Sequence, residues 1–379
     1  MFEAMTQDIR EFVNGACDLL GLGEPTHHEP AFGRIRNELF AQLAGLGFRS
    51  IAYESDRVAA FIVDDYVRKE TGSLDEAMEE GFSHGFGALD ANRRLVAWMR
   101  EYNERRPMEE RLAFHGMDSP FEFTAESPRR YLEHGRDYLG LELDLAPLVG
   151  DDDRWGGMEA VTDPDRSPGG TDEARRLRVI ADDLLIGLYT DAPRLIGATS
   201  RSEWDRARVH VTTALALLRY HRQAAHRTEE GDRWSRLSGV RDAIMAQNLL
   251  DIRGLEAHRG PTLVYGANVH LQRNRSRMSM AGMDLAWSGT GAVLASLLRE
   301  RYVCVLGSLG RSSGLGLGAP DPGTGEGFLQ ERFGDWGLAA ADEVEAAAAR
   351  EDAPAARGYF PLDRAALEGA DAILHVSGA

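Results

Sequence analysis

The chain has 379 residues, 61 acidic and 43 basic, for a formal charge of -18, which argues against nucleic acid and anionic membranes as partners. Only Cys17 and Cys304 could form a disulfide, so a disulfide framework is not expected and a reducing compartment fits. The N-terminus lacks the basic start and apolar core of a signal peptide, and no run approaches the roughly 18 apolar residues of a membrane span; a soluble, cytoplasmic protein is expected.

In chain order, residues 3–18 read as a helix. An apolar strand follows at Leu19-Leu20, with turns expected at Gly21 and Gly23 and a loop carrying Glu24, Thr26, His27, His28 and Glu29. Pro30 suits a first helical turn, and Phe32, Ile35, Leu39, Leu43 and Leu46 recur at helical spacing until Gly47. Residues 48–53 read as a second strand, ending at Glu54-Ser-Asp56. Helices are expected over 57–70, 74–80 and 89–102, and a third strand over 111–115, ending in Gly116-Met-Asp118. Strands alternating with helices imply parallel pairing through crossovers.

From about residue 125 to 258 the pattern is helical, with an Asp/Gly/Pro-rich loop over 144–171 and long helices over 173–190, 202–226 and 232–258. Strand patterns resume at 261–266, followed by Ala267-Asn-Val-His270, a helix over 285–300, and a strand over 302–306. A Gly/Ser/Pro loop covers 312–327, an Ala-rich helix 339–349, and a closing strand 372–376. The reading is an α/β protein: a central mostly parallel sheet with flanking helices and a large helical insertion. Residues 1–124 and 259–379 form the core that carries the active site, and 125–258 the insertion or cap.

Three local patterns carry little chemistry. Gly81-Phe-Ser-His-Gly85 has the spacing of a nucleophile elbow, but a helix pattern rather than a strand precedes Ser83. Gly314-Leu-Gly-Leu-Gly318 has the wrong spacing for a dinucleotide loop. His28-Glu29 begins a zinc-protease pair that Pro30 and Phe32 break. The informative feature is convergence. Glu24 with His27, Glu54, His115 with Asp118, and Asn268 with His270 all lie just past expected strands. In a parallel sheet those ends share one edge, where a base can meet the groups that orient it.

These segments resemble the erythromycin esterase family. Gly23-Glu-Pro-Thr-His27 is similar to the family's Gly-Glu-Ala-Thr-His, and Ile51-Ala-Tyr-Glu54 to its next strand end. The helix ending Trp98-Met-Arg-Glu-Tyr-Asn103, the strand end Phe114-His-Gly-Met-Asp118, and Arg241-Asp-Ala-Ile-Met-Ala-Gln-Asn248 resemble further family segments, in order, from about 18 to 306.

The resemblance implies hydrolysis of an ester or macrolactone of a bulky natural product, by water activated on a histidine and without a cofactor. It makes His27 the general base beside Glu24, with Glu54, Arg241 and His270 lining the site. His28, His84, His115, Asp118 and Asn268 are the candidate substrate-binding residues. The setting would be antibiotic resistance or biosynthesis, with a small-molecule partner. Two positions depart from the pattern: His28 stands where Gly is usual, and Ala267 where His is usual. They leave open a tailoring enzyme that runs a non-ester reaction in the same pocket, or a ligand-binding protein with a vestigial site. Glu24, His27, Glu54 and His270 could also ligate a metal by residue type, though their spacing matches no standard motif.

Overall fold

A computed structural model describes residues 6–27, 29–121, 124–352 and 358–378. Among the described residues there are nine strands: β1 (Leu19–Glu24), β2 (Ser50–Asp56), β3 (Ala113–Asp118), β4 (Thr262–Ala267), β5 (Ser276–Met280), β6 (Met283–Trp287), β7 (Tyr302–Arg311), β8 (Trp336–Ala340) and β9 (Ala372–Gly378). Seven form one sheet in the order β3-β2-β4-β1-β7-β9-β8. β1 pairs parallel with β4 and β7, β2 with β4, and β7 with β9, while the edge strand β8 runs antiparallel to β9. The chain leaves β1 toward β2 and β3 on one side, and β7, β9 and β8 lie on the other. The carboxyl end of β1 is therefore a topological switch point, where open α/β sheets hold ligands.

The chain divides into two compact units. One comprises residues 1–54, 60–117 and 245–379, the other 55–59 and 118–244.

In the α/β unit, alternate residues of each strand enter opposite apolar layers. Leu20, Leu22, Ile51, Tyr53, Leu263 and Tyr265 join one layer, with the helix Pro30–Gly45; Leu19, Ala52, Val264 and Tyr302 join the other. That helix starts with the Glu29 side chain accepting the Ala31 N–H and Pro30 in the first turn. Its stripe buries Phe32, Ile35, Leu39 and Leu43, whereas Leu46, expected in the stripe, is the exposed cap residue before left-handed Gly47.

The helical unit packs Asp172–Thr190 and Arg201–Ala224 with Arg129–Leu139 around Leu177, Leu184, Trp204, Val211 and Leu218. Side-chain caps at Thr171 and Ser200 start the two long helices, the second as a Ser-x-x-Glu box with Glu203. Among the described residues, no helix is long and apolar enough to cross a membrane.

Several local expectations are corrected. Within 6–18, only Ile9–Phe12 is helical, a single 3-10 turn ahead of Asn14 and Gly15, both poor helix formers; residues 1–5 lie outside the described residues. The 57–70 helix is Ala60–Asp64 followed by a π-helical stretch, Asp65–Lys69. The loop over 144–171 holds three short helices, anchored by buried Trp155, whose indole N–H donates to the Val149 carbonyl at 2.9 Å.

Of the 285–300 helix, Thr290–Leu298 is α-helical and continues into a 3-10 turn, Arg299–Arg301, while residues up to 287 belong to a β5–β6 hairpin. Its turn residues, Ala281 and Gly282, both take positive φ. Gly325–Gln330 is helical at the end of the expected 312–327 loop. The Ala-rich stretch is not a continuous helix: Ala339 and Ala340 end β8, which pairs with β9 and buries Gly337, Leu338 and Ala339, Ala341–Glu343 is a 3-10 turn, and residues 344–349 are neither helix nor strand.

Candidate active site

Glu24 is the last residue of β1 rather than part of a loop, and the glycines before it serve close approach instead of turning. A Cβ at Gly21 would come within 2.6 Å of the Tyr302 hydroxyl, and one at Gly23 would overlap the Asn268 amide oxygen. Glu24 shares the strand face of Leu20 and Leu22. β1–β4 register sets Leu22 opposite Tyr265, and the Tyr265 hydroxyl donates to Glu24 Oε2.

The other oxygen of Glu24, Oε1, lies 2.7 Å from His27 Nδ1. Glu24 is 5% exposed and the His27 side chain 32%. A carboxylate facing Nδ1 holds a proton there and presents Nε2 as the basic nitrogen.

Glu54 projects from the opposite face of the sheet and is 2% exposed. Its Oε2 accepts the Ala267 N–H at 2.7 Å. Its Oε1 lies 3.8 Å from His27 Nε2 and 3.4 Å from His270 Nε2. The missing side chain of Gly266 makes this possible, since a Cβ there would sit 2.7 Å from Glu54 Oε2. Glu24, His27, Glu54 and His270 thus form one cluster at the carboxyl ends of β1, β2 and β4.

Arg36, carried by the helix Pro30–Gly45, lies on the Glu24 face of the sheet. Fully buried, its guanidinium lies 4.7 Å from the Tyr265 ring centroid and 5.3 Å from that of Tyr53, and donates to Asn92 Oδ1 at 2.8 Å. Burial, followed by the Glu24 charge, raises the Tyr265 phenol well above its ordinary value, and burial pushes the Tyr53 phenol up to about 12, so both stay protonated donors. Phe86 stands edge-on to the His27 ring at 5.1 Å. Neither Arg36 nor Tyr265 was among the candidates. Arg36 had a signal: it sits four residues after Phe32 and three before Leu39, within the apolar stripe.

The remaining candidates have contacts of their own. His84, at positive φ, stacks on Phe86 at 5.6 Å, and its Nδ1 lies 2.8 Å from Ser83 Oγ. The Asn268 amide bridges β4 to β7, donating to the Gly307 carbonyl and accepting the Gly307 N–H, each at 2.8 Å. His115 Nε2 meets Glu256 Oε1 at 2.9 Å rather than the His27 cluster. Asp118 and Arg241 belong to the helical unit and pair with each other, Arg241 Nε donating to Asp118 Oδ2 at 2.9 Å. His28 lies outside the described residues. Among the described residues, no group of three or more His, Cys, Asp or Glu is arranged to hold a metal ion.

A cavity of about 320 Å³ opens beside His27 and Glu24 within the α/β unit, and Tyr53, Leu89, Asn92, Tyr265, Arg34 and Asp90 contribute to its wall. A cavity of that size takes a small ligand or one moiety of a larger one.

The family model for erythromycin esterase matches residues 44–364. The chain belongs to the erythromycin esterase family. The match spans Glu54, Arg241 and His270, while Glu24 and His27 precede it. No curated protein matches the chain.

Solved structures share the erythromycin esterase-like fold. An erythromycin esterase EreC variant in its open conformation has a TM-score of 0.69 at 19% identity, covering 100% of this chain and 98% of that one. A Bacillus cereus protein has a TM-score of 0.68 at 17% identity, covering 98% and 93%. A succinoglycan biosynthesis protein has a TM-score of 0.69 at 16% identity, covering 96% and 88%.

Proposed function

We propose that the protein hydrolyses an ester or macrolactone of a bulky natural product, without a cofactor, using water activated by His27. The observation that carries this reading is the setting of His27: Nδ1 is held by Glu24 at 2.7 Å, and Nε2 faces Glu54 across 3.8 Å. The second spacing suits a bridging water better than a direct hydrogen bond.

In the proposed step, water attacks the substrate carbonyl and gives its proton to His27 Nε2. The imidazolium then lies between two carboxylates, which stabilise its new charge. Collapse of the tetrahedral intermediate expels the alcohol, which takes that proton, and leaves the acid. His270 stands beside Glu54 and is proposed as the hydrogen-bond donor to the oxyanion. A resistance or biosynthetic role in the cytoplasm goes with this reading.

Ala267 favours a second reading. It keeps the backbone donor that Glu54 needs but brings no imidazole where the family pattern has one, so the same base could serve a tailoring reaction on a non-ester. A panel of natural-product esters, lactones and non-ester pathway intermediates separates the two. Release of acid and alcohol, with one ¹⁸O atom entering the acid from labelled water, is expected; turnover confined to non-esters overturns hydrolysis. Activity that survives exhaustive chelation is expected too, and loss restored by a stoichiometric metal would require a metal-assisted mechanism.

A further inference from the structure

The helical unit contains a second cavity, of about 390 Å³, whose lining includes Arg175, Arg178, Arg222, His226 and Arg227 and no carboxylate. In a chain of formal charge -18, such a concentration of cations is unexpected. Two of the arginines have local partners: Arg175 pairs with Asp172, and Arg227 with Asp165. Arg178 and Arg222 have no ion pair among the described residues, and Arg178 Nη1 is buried without any hydrogen-bond partner. Leaving a buried charged donor unmet is costly. Burial, then the charges of Arg222 and Arg175, pull the Arg178 guanidinium below its usual value.

The scaffold holds these like charges together. The turn Pro168–Gly170 packs against the end of the helix Arg201–Ala224 so closely that a Cβ at Gly169 would overlap the His221 carbonyl. Ser167 Oγ donates to that same carbonyl at 3.1 Å. The next residue, Thr171, caps the helix that carries Arg175 and Arg178. The ends of two long helices, with their arginines, are thereby clamped to one turn.

We propose that this pocket binds a phosphate group, with Arg178 and Arg222 as its ligating guanidiniums. A phosphate carries about -1.5 to -2 charges near neutrality, matching two unpaired guanidiniums, and its oxygens suit their forked N–H donors. The cavity exceeds what a bare phosphate fills, so a small phosphomonoester is the expected occupant. Inorganic phosphate shares the same chemistry.

The test is calorimetric titration of the full-length chain with inorganic phosphate and with a sugar phosphate, using chloride at matched ionic strength as control. Saturable binding of at least one phosphate compound is expected, and tighter binding of the sugar phosphate would identify the monoester as the source. R222Q, at an exposed helix end, should fold normally and weaken binding by at least about tenfold, the loss of one charged hydrogen bond. R178Q/R222Q should abolish binding. Both variants should keep the parent's circular dichroism and turnover. Failure of both phosphate compounds to bind saturably overturns the proposal, as does binding that R222Q leaves unchanged.

Discussion

Each unit buries carboxylates, but gives them different partners. In the α/β unit, Glu24 and Glu54 face imidazoles, while Arg36 is stacked over tyrosine rings. In the helical unit, fully buried Asp118 accepts two N–H groups of the Arg241 guanidinium. A carboxylate locked to a permanently charged guanidinium stabilises a fold and has no proton to pass on. A carboxylate on an imidazole of near-neutral pKa tunes a group that can gain and lose one. The comparison teaches that burial of an acid does not by itself mark chemistry; a partner that can take up a proton beside an open cavity is needed as well.

The largest expected effect tests the imidazole side. H27Q should lower kcat/KM by about 10² to 10⁴ with the melting temperature kept, since general-base catalysis contributes about that much. The acid limb of the parent's pH–rate profile should disappear with it. An H27Q enzyme with near-parent turnover would remove His27 as the base.

The guanidinium side should respond in stability. D118N leaves Arg241 beside a neutral amide and should cost about 3 kcal/mol of unfolding free energy, the scale of a broken buried pair. Urea denaturation measures it. If D118N instead abolished turnover while unfolding at the parent's urea midpoint, the pair would have to be assigned to the reaction.

In E24Q the amide oxygen can accept from the Tyr265 hydroxyl, but the NH2 group then faces His27 Nδ1 and, donating to it, moves the ring proton to Nε2, the nitrogen that must act as base. A loss of at least about a hundredfold in kcat is expected, with little change in stability. Equal losses in kcat and unfolding free energy would make Glu24 a structural residue like Asp118.

The smallest effect concerns pH. Burial draws His210 down to about 4 from its ordinary 6.5, and the ring stacks on His134 at 3.7 Å. A folded value below the unfolded one means this contribution is complete above pH 6.5 and is lost as pH falls toward about 4. H210N should flatten that part of the stability profile by about 1–3 kcal/mol, read from denaturation at the two ends of the window. Burial also draws His221 to about 4 and His375, in the α/β unit, to about 3, so acid sensitivity should decline without vanishing. An unchanged slope in H210N would mean that His210 keeps its ordinary value.

The sequence by itself determined the alternation of strands and helices in the α/β unit, because buried strands and amphipathic helices write their periods locally. It also placed Glu24 three residues before His27, a spacing short enough for contact whatever the rest of the chain does, and set Glu54 at a strand end.

Tertiary structure decided the partners. Which strand ends become neighbours depends on sheet order, and pairing β4 between β1 and β2 is what brings His270 to Glu54 and Tyr265 to Glu24. The same long-range packing gave His115 to Glu256 and drew Ala339 and Ala340 into the edge strand β8. It also placed the Arg36 charge under the site, where only its position in an apolar stripe had hinted at a buried role. Periodicity records which face of an element is buried; it does not record what waits on the other side, because that depends on residues hundreds of positions away.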